Sequence, residues 1–422
     1  MYSPSKMSRD RLTALVQWIC WGALIGVACG AASALFLHLL DLATAFRRAQ
    51  ESIVYALPLA GLALGAVLQR YGASTKAGNS LVIDTIHDDG PEIPLRMAPL
   101  ALFGTIATHL FGGSAGREGT AVQMGASLTD FMAQRFGLRG KLRQDLLAAG
   151  VAGGFGSVFG TPLAGTLFGL EFIVLGSLRY RALVPALVAA VVGDQVTLAL
   201  GIVHTPYPSV PELSLTLTVL AKWLVFSLAI AATTVAFIEL THRLRQASER
   251  YITAPPLRLF AGGLAVVLLW KLWGTGDFLG LGVETIVRSF EDPTLPSSTF
   301  AAKLLFTAVT LGFGFLGGEV TPLFFIGAAL GNLLARALEL PLELGAGVGM
   351  AAVFAAASNT PLALSIMAVE LLGASVLPHV VVVCVLAFVL TGHRGIYPAQ
   401  RLTRTKLGRA LRGSPRLRDL EP

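Results

Sequence analysis

The chain has 422 residues, of which 54% are hydrophobic and only 14% charged, and its formal charge is +7. Soluble proteins are about 25% charged, and a mean hydropathy of +0.69 leaves too little polar surface for a soluble enzyme. Disorder, collagen and a disulfide scaffold are excluded on the same grounds, which leaves a polytopic membrane protein.

Lys6, Arg9 and Arg11 precede the first apolar stretch, and eight basic residues fall between Arg394 and Arg418. Lys and Arg accumulate on the cytoplasmic flank of membrane spans. The segment 1–11 and the tail 398–422 are therefore both expected in the cytoplasm, with the protein in the inner (cell) membrane. The basic tail is read as a juxtamembrane segment near anionic lipid, with no nucleic-acid partner. The N-terminus shows no small-residue cleavage site after a short apolar core, so no removable signal peptide is expected.

Apolar stretches at 12–45, 53–69, 214–240, 259–273 and 376–391 each reach, or nearly reach, the roughly 20 residues of a membrane-spanning helix. Those at 98–112, 120–133, 146–159, 161–176, 321–336 and 361–374 are short or interrupted by Gly and Pro. Helices that stop inside a membrane are how transporters place helix ends around their cargo. Most of the 46 glycines are read as close-packing positions. Cys20, Cys29 and Cys384 lie in apolar surroundings without CxxC or His neighbours. They are expected to be buried thiols, with no disulfide, metal site or cofactor.

The chain repeats itself. Ile83-Asp84-Thr85-Ile86 returns as Val283-Glu284-Thr285-Ile286. Gly116-Arg117-Glu118-Gly119-Thr120 returns as Gly317-Gly318-Glu319-Val320-Thr321. Thr161-Pro162-Leu163-Ala164 with Glu171 returns as Thr360-Pro361-Leu362-Ala363 with Glu370. The offsets are 200, 201 and 199 residues, too regular for chance matches in Gly/Ala-rich sequence. Two homologous halves, 12–205 and 214–397, are expected around a connector at 206–213. Halves of transporters are commonly inverted across the membrane plane.

The chemistry-bearing residues sit in these repeated motifs. Glu118 follows a glycine-rich turn and opens the helix expected over 120–133. Helix starts attract anions, so a carboxylate there competes with a permeating anion for one place, and protonation releases it. The alternative is a capping Glu paired with Arg117. Glu319 either passes a proton or satisfies the backbone of its own turn, while the hydroxyl of Thr321 can touch an ion directly. Asn79 and Ser80, after Gly78, are good helix-capping residues placed one motif before Glu118. Thr161 and Thr360 are expected to cap their helices ahead of Pro, and Glu171 and Glu370 to bond to neighbouring helix ends rather than move protons. Tyr397 is either an interfacial tyrosine or a hydroxyl donor to an anion. No phosphate-binding GxxxxGK[ST] occurs, and two helix-borne glutamates without a nucleophile or metal ligands do not make an enzyme.

In these motifs the chain resembles the CLC family of anion channels and transporters, from about residue 70 to 400. GREGT at 116–120 is similar to the family's GREGP, GNSLV at 78–82 stands in place of GSGIP, and GGEVTP at 317–322 stands in place of GxFxP. PLAG at 162–165 through Glu171 resembles the family's corresponding helix, and Tyr397 occupies the place of the central-site tyrosine. The departures resemble the fluoride/proton antiporter branch: GREGT, Asn79 in place of Ser, Phe172 where chloride/proton exchangers carry an internal Glu, and GGEVTPLFFIGAALGN. The resemblance implies an all-α, CLC-like membrane protein with two inverted-topology halves, many partial or broken helices, and a homodimeric assembly. It implies fluoride and protons as transported ions, with a chloride/proton antiporter or a passive anion channel as alternatives. Glu118 and Glu319 would handle protons, and Asn79, Ser80, Val320, Thr321 and Tyr397 the anion. Gly78, Gly116, Arg117, Gly119, Thr120, Gly317 and Gly318 would shape the motif backbone. No aromatic residue lies between Tyr71 and Leu100, so an aromatic edge toward the ion is expected from Phe324 or Phe325.

Overall fold

The structure, a computed structural model, describes residues 4–88, 91–411 and 413–420. The side chains of Lys6, Arg9 and Arg11, on which the orientation of the N-terminus rests, lie outside the described residues. Helices dominate. The first eight are α1 (Pro4–Ala49), α2 (Leu57–Tyr71), α3 (Asn79–Asp88), α4 (Met97–Leu110), α5 (Glu118–Arg135), α6 (Gly140–Phe159), α7 (Pro162–Glu171) and α8 (Leu183–Ala199). After a non-helical stretch the series repeats as α9 (Leu217–Tyr251), α10 (Pro255–Trp273), α11 (Val283–Glu291), α12 (Thr299–Gly312), α13 (Val320–Leu338), α14 (Leu342–Ser358), α15 (Pro361–Leu372) and α16 (Leu377–Leu390).

The halves are inverted. Met97, Ala101 and Thr105, in the first two-thirds of α4, line a cavity of about 600 Å³, and α4 ends at His109 beside Gly280. Its repeat α12 starts beside Gly280, where Lys303 reaches the Gly280 carbonyl, and ends in the same cavity at Leu311 and Gly312. The helices α2 and α10 show the same relation in direct contact, with Pro58 against Gly263, Gly61 against Leu259 and Gly65 against Pro256.

Among the described residues, six helices are long and apolar enough to cross a membrane by length and composition, α1, α9 and α13 among them. The stretches 376–391 and 321–336 depart from expectation in opposite senses. α16 has 14 residues, about 21 Å of rise, and falls short of a span. α13 has 19 residues and is not short, and most of it is buried inside the protein. Its burial is possible because Gly327 and Gly331 let α14 approach: a Cβ on Gly331 would lie 2.2 Å from the Gly345 carbonyl oxygen. This is the small-residue packing expected where lipid supplies no hydrophobic drive between helices.

Two reciprocal contacts tie α7 to α15. Glu171 accepts from the Leu362 and Ala363 amides at 3.2 and 2.8 Å, and Glu370 accepts from those of Leu163 and Ala164 at 2.9 and 2.8 Å. Each carboxylate closes the start of the other half's helix; the sequence points to a neighbouring helix end without saying which. Thr161 and Thr360 therefore do not cap: the Thr161 hydroxyl has no partner and that of Thr360 meets Ser358 at 2.6 Å. Cys29 and Cys384 are buried thiols as expected, but Cys20 is exposed on the outer face of α1.

The basic tail is folded against the membrane helices rather than lying free. Residues Arg401–Leu402 pair in parallel with Val174–Leu175, and Leu175, Leu402 and Leu417 form a small apolar core. Gln400 is fully buried and donates to the Phe172 and Ser358 carbonyls, both at 2.8 Å. Arg416 reaches Asp84 on α3 at 3.0 Å. Lys406 donates to the Phe388 carbonyl at 2.7 Å and lies over the Phe388 ring, and burial pushes its ammonium down to about 7. The docked tail thus holds Lys406 neutral over a range where the free tail binds a proton. Docking is expected to strengthen as pH rises from about 7 toward 10.5 and to be flat below 7. Lys406→Met should remove that slope and slow exchange of the Leu411 amide at pH 7; hydrogen exchange corrected for intrinsic pH dependence checks it.

Candidate functional site

The two glycine motifs meet head-on. Gly116 and Gly318 form an isolated antiparallel bridge, with N–H···O distances of 2.6 and 2.8 Å. The approach needs glycine on both sides: a Cβ on Gly318 would lie 2.8 Å from the Gly119 nitrogen. This bridge brings the starts of α5 and α13, one from each half, to the same place.

Glu118, the first residue of α5, is wholly buried. Its carboxylate does not serve its own helix but sits on the start of α13. Thr321 donates from its hydroxyl at 2.6 Å and from its amide at 3.1 Å. The Arg117 amide donates at 3.2 Å, and the Arg117 guanidinium lies 3.5 Å away. The two backbone N–H groups and the guanidinium that face it can only donate. The pairing with Arg117 expected as the alternative is present but loose, and the opposite helix start holds the carboxylate more tightly. A helix start with exposed N–H groups is a ready anion seat, and here the carboxylate occupies it.

The other motif residues surround this point. Gly78, Asn79, Ser80, Thr120, Gly317, Glu319 and Tyr397 all line the 600 Å³ cavity. Asn79 Nδ2 and Glu319 Oε2 lie 3.3 and 3.9 Å from where a Cβ on Gly119 would sit, so amide, carboxylate and Glu118 helix start are immediate neighbours. Asn79 is the first residue of α3 and makes no cap; its side-chain oxygen has no partner. The capping role expected for Asn79 is thus not the one it fills, because Gly78 at φ +52 turns the chain so that the amide faces the cavity. Thr120 bonds Thr105 of α4 at 2.7 Å. Val320 is buried in the core and contributes the backbone of α13's first turn. Tyr397 is held by the Ile396 amide on the Ala357 carbonyl, 2.9 Å, and by the Phe172 ring edge-on at 5.6 Å.

Phe324 packs on Phe159 and Phe354, and Phe325 on Phe278; neither lines the cavity. Sequence reasoning also missed Gln123, which faces the cavity beside Gly78. It missed the charged mouth as well, where Lys76, Arg245 and Arg258 surround Glu249 at 3.5 to 3.7 Å. Gln123 was legible as a polar residue three positions after Thr120 on one helix face. The mouth was not, because Lys76 lies far from 245–258 in sequence. Among the described residues no cluster of metal-ligating side chains occurs.

Broken helices meeting at mid-structure, two inverted halves and a carboxylate on a helix start define an anion-handling membrane protein. The sequence pattern described as "Voltage gated chloride channel" matches residues 60–392. A "Chloride/fluoride channel protein" of Pseudomonas syringae pv. tomato is 46% identical over 98% of this chain and 92% of its own. The "Voltage-gated ClC-type chloride channel ClcB" of Citrobacter koseri is 31% identical over 78% of this chain and 82% of its own. The chain belongs to the voltage-gated chloride channel (CLC) family. The crystal structure of a CLC-type fluoride/proton antiporter superposes with a TM-score of 0.89 at 37% identity, covering 93% of this chain and 98% of that one. A slow cyanobacterial Cl⁻/H⁺ antiporter, at 19% identity and TM-score 0.77 over 89% of this chain and 94% of that one, shares the fold.

Proposed function

We propose that the protein is a secondary active transporter that exports fluoride in exchange for protons. The observation that carries this reading is the Glu118 carboxylate seated on the start of α13 by Thr321. An anion and this carboxylate cannot occupy the seat together. Deprotonated, Glu118 takes the seat; protonated, it loses the charge that the N–H groups favour and yields to the anion. One side chain thereby exchanges one proton for an anion in opposite senses. The names of the 46%-identical relative and of the 37%-identical structure, chloride/fluoride channel and fluoride/proton antiporter, support fluoride as the anion. Fluoride is small and strongly hydrated, so it needs strong donors in return for its water. Asn79, Ser80, Thr321, Tyr397 and the Val320 turn are the donors we assign to it, and Glu319, facing the cavity next to Asn79, takes protons from the cavity side.

We also propose that both termini are cytoplasmic in the inner membrane, that the chain divides into repeats at 206–213, and that it forms a homodimer with one pathway per subunit. Paired fluoride and proton electrodes on the same proteoliposomes test the transport reading. A fluoride gradient should drive protons uphill. Fluoride flux with no coupled proton movement would make the protein a channel, and coupled chloride flux exceeding fluoride would make it a chloride exchanger. Asn79→Ser should lower the fluoride-to-chloride preference about tenfold, the worth of one hydrogen bond; an unchanged ratio would remove Asn79 from the site.

A further inference from the structure

The lining of the 600 Å³ cavity includes a cation whose bonding is incomplete. Arg258, in the first turn of α10, is only 8% exposed, and its Nε has no hydrogen-bond partner. The carboxylate facing it, Glu249, keeps Oε1 3.7 Å from Nη1, beyond hydrogen-bond length. That same oxygen is 3.5 Å from Lys76 Nζ and 3.7 Å from Arg245 Nε, so three cations share one acceptor and none bonds it closely. Lys76 and Arg245 are more than half exposed, and water completes their shells. Arg258 has little such relief and cannot shed its charge, since a guanidinium stays protonated. A buried charge left short of partners is costly.

The backbone beneath Arg258 is fixed. A Cβ on Gly65 of α2 would lie 2.5 Å from the Pro256 Cα, and one on Gly61 2.7 Å from the Leu259 carbonyl oxygen, so α2 pins the chain on both sides of it. Gly314, which also lines the cavity, sets no side chain against the guanidinium: a Cβ there would stand 3.5 Å from Nε and from Nη2. A second unbonded donor lines the same cavity, the Thr241 hydroxyl, one turn before Arg245 on α9. The whole lining carries Lys76, Arg245, Arg258 and Arg418 against Glu249 and Glu319, and a cleft with one prevailing sign of charge concentrates counter-ions. Asn79 and Tyr397, beside the Glu118 seat, belong to the same lining.

We propose that Arg258, with Lys76 and Arg245, forms an anion-capture site at the mouth of the cavity, which takes a small monovalent anion in the place that the Glu249 carboxylate otherwise holds. Glu249 is the resident competitor at this site, and the captured ion crosses the cavity to the seat at Thr321. That the ion is transported fluoride rests on the function proposed above; that an anion binds at Arg258 does not.

Calorimetric titration of purified full-length Thr321→Ala protein with sodium fluoride, at constant ionic strength, separates this site from the seat. One equivalent should bind. Adding Arg258→Met should weaken it at least about tenfold, the worth of one hydrogen bond to a charged group, and Arg258→Lys should retain part of it. Adding Glu249→Gln should act in the opposite direction and tighten binding about fivefold, the scale of one partly exposed ion pair, because it removes the competitor and leaves the cations in place. An Arg258–Glu249 pair that served only the fold would be broken by either change, and the two would then not shift binding in opposite senses. No binding in the Thr321→Ala protein, or binding weakened by Glu249→Gln, would overturn the proposal; the second arm decides alone if Arg258→Met fails to fold. In vesicles with Thr321 intact, Arg258→Met should raise the fluoride concentration giving half-maximal flux and leave the proton-to-fluoride ratio unchanged, since capture precedes exchange at Glu118. Absence of fluoride-driven proton flux in the wild type, with the binding pattern as expected, would instead sink the transport reading and leave the site standing.

Discussion

Glu118→Gln is expected to reduce fluoride-driven proton transport at least ~100-fold, to the level of protein-free vesicles, the scale on which a positioned proton carrier acts. The amide matches the carboxylate in shape but cannot bind and release a proton at neutral pH. It also fits the seat poorly, because its NH2 would face donors: the Thr321 amide and hydroxyl accept nothing from it without reorienting, and the Arg117 amide is a third donor. The variant therefore resembles the protonated gate, and uncoupled anion flux should persist. Proton and fluoride electrodes read the two arms in one preparation. Proton flux unchanged from wild type would contradict the assignment of Glu118 as the exchanging group.

The second large effect is on stability. Glu171→Ala and Glu370→Ala should each destabilise the protein by about 2–4 kcal/mol. Each leaves two amides at a helix start without acceptors, at roughly 1–3 kcal/mol per unsatisfied group, and removes a charge that favours the helix dipole. Glu171 is 6% exposed and should show the larger loss, since water reaches the amides near the partly buried Glu370 more readily. The double variant should lose less than the sum, because both contacts hold the same pair, α7 and α15. Thermal inactivation half-lives in detergent check this, as unfolding of such a protein is governed by rate. Unaltered half-lives in both single variants would show that water replaces the carboxylates.

Much of this architecture was legible in the sequence. Composition gave the membrane class, and three motif matches at nearly constant offset gave two halves, because a duplicated helix start needs the same Gly, Pro and acid each time. That repetition singled out the residues that stand around Glu118, and Glu171 and Glu370 read as bonding to neighbouring helix ends, though not to which ones. What sequence could not give was where a helix start points. Asn79 reads as a cap from its residue type, yet the turn at Gly78 aims it elsewhere. Thr161 and Thr360 read as caps for the same reason, and lose the role to carboxylates about 200 residues away. The neighbourhood of Phe324 and Phe325 likewise depends on which face of α13 meets α14, and a helix apolar on all sides does not disclose its facing.

The bridge between Gly116 and Gly318 has a consequence for ancestry. Neither half contains the whole arrangement: the first supplies the Glu118 carboxylate and the second the helix start on which it sits. A half-length ancestor would have had to insert in both orientations and pair with itself, presenting two equivalent carboxylates across a twofold axis. In the chain as it stands that equivalence is gone: the Glu118 carboxylate sits on the other half's helix start, while Glu319 lines the cavity.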